Sequence, residues 1–299
     1  MRFSTVLLQA LSLTGLASAA ALGKRQVATT SIYKFSSPKA AEGIAQRSNG
    51  QILVSFFDKA ELWSVDPATK KAAKVASFTD ATCSAAIAEV APDVFAVVAG
   101  NYASAGGNKP GSWGIWKVDF TSGTAVTSLL KKVPESGFWN GLTAFNNDTV
   151  LIGDASKGAV WRMNINTGAY SIAIEDATMK PSSGLPMGID GVRYSNGFIY
   201  YTNIFANKFY KLAVDATGAK TGSPTTIWSN QMADDMYVSP EGVAYVAASN
   251  GIQKVAADGK VSKAASVSSA TAVTNGKTEA DKNTLFVAGS DGTISSFKI

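Results

Sequence analysis

Four oxygen-bearing side chains stand at matching places in a repeating chain. Glu42-Gly43, Asn140-Gly141, Asp190-Gly191 and Asp234-Asp235-Met236 each sit just ahead of a strand-like apolar run, and Cys83-Ser84 and Thr271 take the corresponding places in two further units. Carboxylates and an amide converging from separate units suit proton transfer, or the coordination of a hard divalent cation. Asp or Asn before Gly is also ordinary turn chemistry, so each pair taken alone reads equally as a turn. Recurrence at equivalent places is what makes Glu42, Asp190 and Asp234 a candidate catalytic set, with Asn140 beside them.

Other chemistry is excluded by composition. The chain has no histidine, so neither a Ser-His-Asp or Cys-His set nor a His-ligated zinc or copper site can be assembled. Its one cysteine, Cys83, lies between Thr82 and Ser84 with no basic neighbour, and reads as a buried structural thiol rather than a nucleophile. Asn275-Gly276-Lys277-Thr278 has the look of the end of a phosphate-binding loop, but Thr271 stands where that pattern needs Gly and a hairpin follows instead of a helix.

The elements that must position these residues are strands. Gln51–Ser55 is followed by Glu61–Asp66 and Ala73–Phe78, and the same grammar returns in Val94–Ala99 with Gly114–Asp119 and in Thr149–Asp154 with Ala159–Asn164. Further copies are Gly197–Thr202 with Lys208–Ala213, Val243–Ala247 with Gly251–Val255, and Thr284–Ala288 with Gly292–Phe297. Six units at roughly 40–50 residues predict an all-β, six-bladed β-propeller, because one such sheet cannot bury both faces alone and must stack on its neighbours around an axis. The last copy stops at Ile299 without a fourth strand, and Thr29–Phe35 is expected to supply it and close the ring.

In such a ring the residues just before each innermost strand line the mouth of a central channel. Aromatic and apolar residues near the same places are candidates for binding a hydrophobic ligand: Tyr102 and Trp113 in a long loop, Trp139 beside Asn140, Phe205, and Met236 with Tyr237. Trp63, Trp116 and Trp161 read instead as packing between blades.

The N-terminus predicts secretion. Arg2, an apolar run from Val6 to Leu16 and Ala17-Ser18-Ala19 form a leader over residues 1–19, and Lys24-Arg25 would suit a second cut, leaving residues 26–299 as one propeller domain. Met1–Arg25 carries three of the 27 basic residues and none of the 22 acidic ones, so the net charge of +5 falls close to neutral in the mature chain. Nucleic acid is therefore not an expected partner, and with no apolar run of about 20 residues neither is a membrane anchor. A monomer is expected, and Asn147-Asp148-Thr149 is a candidate N-glycosylation site.

Asn140-Gly141-Leu142, Asp190-Gly191-Val192 followed by Ile199–Asn203, and Asp234-Asp235-Met236 followed by Gly242–Ala247 resemble the gluconolactonase and senescence-marker-protein superfamily of six-bladed propellers. That resemblance implies a second activity, a lactonase or esterase using Ca²⁺ or another divalent cation held by Glu42, Asn140, Asp190 and Asp234, although Asp190 stands where the superfamily usually has Asn. More closely, the leader, the Arg47–Val54 opening and the Asp-Asp-Met motif are similar to secreted fungal propellers, some of them hetero-Diels–Alderases of tropolone and terpenoid metabolism. That likeness implies a cofactor-free, glycosylated pericyclase whose pocket orients a heterodiene and an alkene, with Asp190, Asp234 or Glu42 assisting loss of water. A propeller that binds a small molecule without chemistry is the third reading.

Overall fold

The structure, a computed structural model, describes residues 27–103 and 107–299. The expected leader and its cleavage sites lie outside the described residues. Among the described residues, six four-stranded antiparallel sheets account for nearly all of the secondary structure, with a two-stranded ribbon of Tyr102–Ala103 and Gly107–Asn108 and one 3-10 turn at Ala177–Met179. The sheets are the blades of a propeller. Their innermost strands are Ala41–Gln46, Cys83–Ala91, Trp139–Ala144, Ile189–Ser195, Ala233–Val238 and Ala270–Asn275.

Each blade grades from dry to wet. Second strands such as Ile52–Phe56 and Val94–Gly100 are buried at every position, which is why they read as unbroken apolar runs. The third strand alternates toward its end, as in Gly114–Asp119, and the outermost, such as Val126–Lys132, has no buried residue. Hydrophobic clusters fill the wedges between adjacent blades, and Trp116 and Trp161 are buried there. Trp63 is half-buried, edge-on to Phe35 at 5.7 Å.

The ring closes as the sequence predicts. Thr30–Lys34 pairs antiparallel with Thr293–Lys298, the C-terminal strand, and completes blade six. Every blade then has four strands.

The feature that shapes the channel is a register break in all six inner strands. The inner strand carries one residue more than the second strand between Ala41 and Ile44, Ser84 and Ile87, Trp139 and Leu142, Ile189 and Val192, Ala233 and Met236, and Ala270 and Ala272. These are β-bulges, which free a residue from the ladder and re-aim its side chain. The skipped residues are Glu42-Gly43, Ala85-Ala86, Asn140-Gly141, Asp190-Gly191, Asp234-Asp235 and Thr271. In blade two the structure thus puts Ala85-Ala86, not the expected Cys83-Ser84, at the channel. Cys83 is fully buried and pairs with Gly100 one step earlier.

Backbone groups released by the bulges are met by hydroxyls that also tie one blade to the next. Ser55 accepts from Gly43 N (3.0 Å) and donates to the Ala85 carbonyl; Thr202 accepts from Gly191 N (3.0 Å) and donates to Asp234 O (2.8 Å). Thr271 donates to Ala41 O (2.9 Å) across the closing seam. Inner strands come so close that a side chain has no room: a Cβ on Gly141 would lie 2.2 Å from Asp190 O and 2.7 Å from Val192 N. Both are backbone atoms, so the strands themselves would have to part. Gly141→Ala is expected to cost about 3 kcal/mol, read as a lower urea midpoint at unchanged slope.

Candidate functional site

The bulges bring Glu42, Asn140, Asp190 and Asp234 to the narrow waist of the channel, where Asp235 joins them. Asn140 donates through Nδ2 to Asp190 Oδ1, and hydrogen bonds also link Asn140 to Glu42 and Asp190 to Asp234. Asp190 is 1% exposed, Asn140 6% and Asp235 7%, while Glu42 and Asp234 keep partial access to solvent. The open space among them is about 10 Å³, room for about one water molecule.

Four carboxyl groups so close and so dry cannot all ionise. Burial, opposed by the Asn140 hydrogen bond and reinforced by Asp235, lifts Glu42 to about 7. Burial followed by repulsion from Glu42 and Asp235 pushes Asp190 well above the ordinary carboxylate range. Asp234 moves the same way through burial and its neighbours Asp190 and Glu42. Burial also raises Asp235, but the Arg193 guanidinium pairs with it and holds it back. Burial and mutual repulsion therefore shift the cluster toward its protonated forms.

Asp235 in this role and Arg193 altogether went unpredicted. The signal for Asp235 was present, since a second acid follows Asp234 where other units have Gly. Nothing in the sequence marks Arg193, because its partner arrives from the next blade.

Glu42, Asn140, Asp190 and Asp234 also make up the oxygen set that a divalent cation would need. Among the described residues, no group of three or more His, Cys, Asp or Glu is placed to hold a metal ion. Asn140 turns an N–H toward Asp190, and Asp190 and Asp234 bond to each other, so these groups face their neighbours rather than one common point. As placed, the four groups are engaged with one another.

The predicted aromatics divide by place. The upper face is the one from which the chain enters the inner strands. There Tyr102 stacks on Phe138 (5.6 Å between centroids, 19° between planes) and lies 4.5 Å from Phe57. These three rings come from blades three, two and one, and Met187 packs against the same cluster. Phe57 was missed in the sequence because it follows a strand like any capping aromatic. Phe205 sits half-buried in an upper-face turn of blade four.

Trp113, Trp139 and Met236 are fully buried and offer a ligand no surface. Trp113 donates to Asn108 Oδ1 (2.7 Å) and fills the space that Gly100 leaves; Trp139 lies 5.9 Å from Trp161, with its indole N–H lacking a partner. Met236 packs in the cluster between blades four and five. The cause for Trp139 and Met236 is strand alternation: bulged residues face the channel, and those flanking them face the wedges between blades. Tyr237 lies toward the far end of its strand and lines the opposite, lower mouth. Asn147 is exposed in the turn between Trp139–Ala144 and Thr149–Asp154. Cys83 is buried, with its thiol pushed up to about 12 by burial and by Glu42.

No family model matches the chain. It is 25% identical over 292 residues to a Phoma protein provisionally named a hetero-Diels–Alderase, covering 83% of this chain and 82% of that one. A protein of Sarocladium schorii with the same provisional name is 24% identical over 210 residues, 60% of this chain and 52% of its relative, so here the chain spans about half of the relative's length. Among solved structures, a gluconolactonase of Xanthomonas campestris superposes with a TM-score of 0.67 at 14% identity, covering 95% of this chain and 93% of that chain. The calcium-binding protein regucalcin of Agrobacterium tumefaciens gives 0.66 at 13%, covering 91% and 94%. These likenesses show the propeller fold, and the chain resembles provisionally named hetero-Diels–Alderases along most of its length.

Proposed function

We propose, from this likeness and from the waist, that the chain is a hetero-Diels–Alderase-like enzyme of secondary metabolism that takes a flat, hydrophobic, hydroxyl-bearing precursor at the upper mouth. One observation carries the reading: carboxyl groups that burial and mutual repulsion keep protonated converge at the channel waist. The half-buried rings of Phe57 and Tyr102, backed by Phe138, pack against a conjugated plane. The carboxyl of Asp234, or of Glu42, protonates a leaving hydroxyl; the C–O bond breaks, water departs, and the precursor's phenolic proton passes back to the carboxylate. The resulting heterodiene adds to an alkene by forming one C–O and one C–C bond, with no change in net oxidation state. Orientation in the pocket supplies most of the acceleration of that second step.

Support for the first step is the upward shift of the cluster's carboxyl pKa values, which keeps protons on them; support for the second is the pair of relatives. The test uses an ortho-hydroxybenzyl alcohol and a cyclic terpene alkene as probes. The expected result is a cycloadduct formed faster than without protein and with one enantiomer in excess. Tyr102→Ala is expected to raise KM about tenfold with a smaller change in kcat. Racemic product at the uncatalysed rate would sink the proposal. Hydrolysis of glucono-1,5-lactone that requires added Ca²⁺ and disappears in Glu42→Gln would put the lactonase reading in its place.

A further inference from the structure

A groove of about 350 Å³ lies off the channel, on the lower face between blades three and four. Asn146 and Thr149 line it from the turn after the inner strand of blade three, Arg162 and Ser171 from the two outer strands of that blade, and Thr217 from a turn of blade four. Among the described residues, Arg162 is the one charged side chain of the lining, and Asp215 nearby offsets part of that charge. Its guanidinium donates through Nε to Ser171 Oγ (2.9 Å) and through Nη1 to the Thr217 carbonyl (3.2 Å). Arg162 is exposed, so the remaining three of its five N–H bonds are open to a ligand. Hydroxyls, an amide and one offset cation suit a neutral, polyhydroxylated ligand better than an anion.

The turn that borders this groove holds Asn147-Asp148-Thr149, and its backbone is pinned. Phe145 N donates to Thr149 O (2.9 Å), Asp148 N to Asn146 Oδ1 (3.1 Å), and Ile165 N to Asp148 O (2.7 Å). Thr149 Oγ1 donates to Asp148 Oδ1 (2.8 Å). Asn147 differs from its neighbours: it is exposed, and among the described residues its side-chain amide makes no hydrogen bond. Because Asn146 and Thr149 on either side of it both line the groove, Asn147 stands at the groove's rim on a fixed base.

We propose that Asn147 carries an N-linked glycan whose first N-acetylglucosamine units lie in this groove, bonded to Arg162 and to the Thr217 turn, so that the sugar bridges blades three and four. The linkage forms during secretion, when the Asn147 amide nitrogen displaces the diphosphate of a lipid-linked oligosaccharide: one C–N bond replaces one C–O bond, and the amide gives up a proton. A tethered sugar meets the groove at an effective concentration on the order of millimolar, so contacts too weak to hold a free sugar keep this one seated. The inference is independent of the reaction proposed above.

Expression of the full chain in a fungal host tests this. Mass spectrometry of the peptide that holds Asn147 is expected to show the glycan, and Asn147→Gln to remove it and lower the melting temperature by about 2–4 °C. Arg162→Ala should cost a similar shift in the glycosylated chain and about half of it or less in the Asn147→Gln background, where its sugar contact is already gone. Amide hydrogens at residues 215–218, in the neighbouring blade, should exchange several-fold faster in Asn147→Gln. That last measurement alters no residue of the groove and serves if Arg162→Ala does not fold. An unmodified Asn147, equal shifts from Arg162→Ala in the two backgrounds, or unchanged exchange at residues 215–218 would each overturn the proposal.

Discussion

Replacing Asp234 by asparagine is expected to slow product formation about 10²–10⁴-fold while making the folded ring more stable at pH 8, by roughly 1–3 kcal/mol. The two effects share one origin. Burial and the neighbouring carboxyls make an ionised Asp234 costly, and that same cost is what keeps a transferable proton on it at neutral pH. An amide of nearly the same shape donates to Asp190 as the protonated acid does, carries no charge at any pH, and cannot release a proton to a leaving group. Affinity for the precursor should change little, because the stacking rings lie elsewhere. Single-turnover rates with urea melts at pH 8 separate the two quantities. Undiminished turnover, or a lower melting point at that pH, would contradict the assignment of Asp234 as a proton donor.

Glu42 makes the pH dependence of stability large and gives it an unusual direction. Its carboxyl titrates near 4.5 in the unfolded chain and at about 7 in the ring, so between those values the folded state binds the additional proton. Stability is then greatest below 4.5 as far as this group is concerned and is lost as pH rises through about 7, at about 1.4 kcal/mol per pH unit and about 3 kcal/mol in all. Asp190 and Asp234, shifted in the same direction, extend the loss to higher pH. Surface acids work the other way: Asp93, held low by hydrogen bonds from Arg47, and Asp119, held low by Thr121, withdraw their stabilisation as pH falls below 4. The maximum should therefore lie on the acid side of neutrality. Urea midpoints between pH 4 and pH 9 should fall steadily for the wild-type chain and flatten over pH 5–7 in Glu42→Gln. A wild-type maximum at pH 8 would contradict the protonated cluster.

Much of this architecture was legible because each blade repeats the same burial problem. Second and third strands announce themselves through unbroken apolar runs and alternation; Gly114–Asp119, Thr149–Asp154, Ala159–Asn164, Lys208–Ala213 and Gly251–Val255 fall where the sequence puts them. Ring closure was legible from a surplus strand at one end and a deficit at the other. Channel positions were legible where an acid or amide precedes Gly, and failed in blade two, where Ala85-Ala86 fills the bulge without polar chemistry to mark it. Aromatic residues were harder. A Trp beside a site residue in sequence faces the opposite way on a strand, so Trp139 went to the core while Asn140 reached the channel. Tyr237 follows the waist by two residues, enough to carry it to the other mouth. Contacts between blades, such as Arg193 with Asp235 and Phe57 with Tyr102, depend on the circular order of the sheets and have no local signature.

The pairing of Thr30–Lys34 with Thr293–Lys298 also dictates a calendar for assembly. During synthesis, strands of blades one to five can zip locally as they emerge, since each blade is built from consecutive residues. Blade six alone has to wait, because its outermost strand is made first and the neighbour it needs is made last. Until then the early strand dangles and the nascent ring stays open, its unfinished edges exposed to other chains and to whatever chaperones attend them. Completion of the ring thus waits until Thr293–Lys298 has been made.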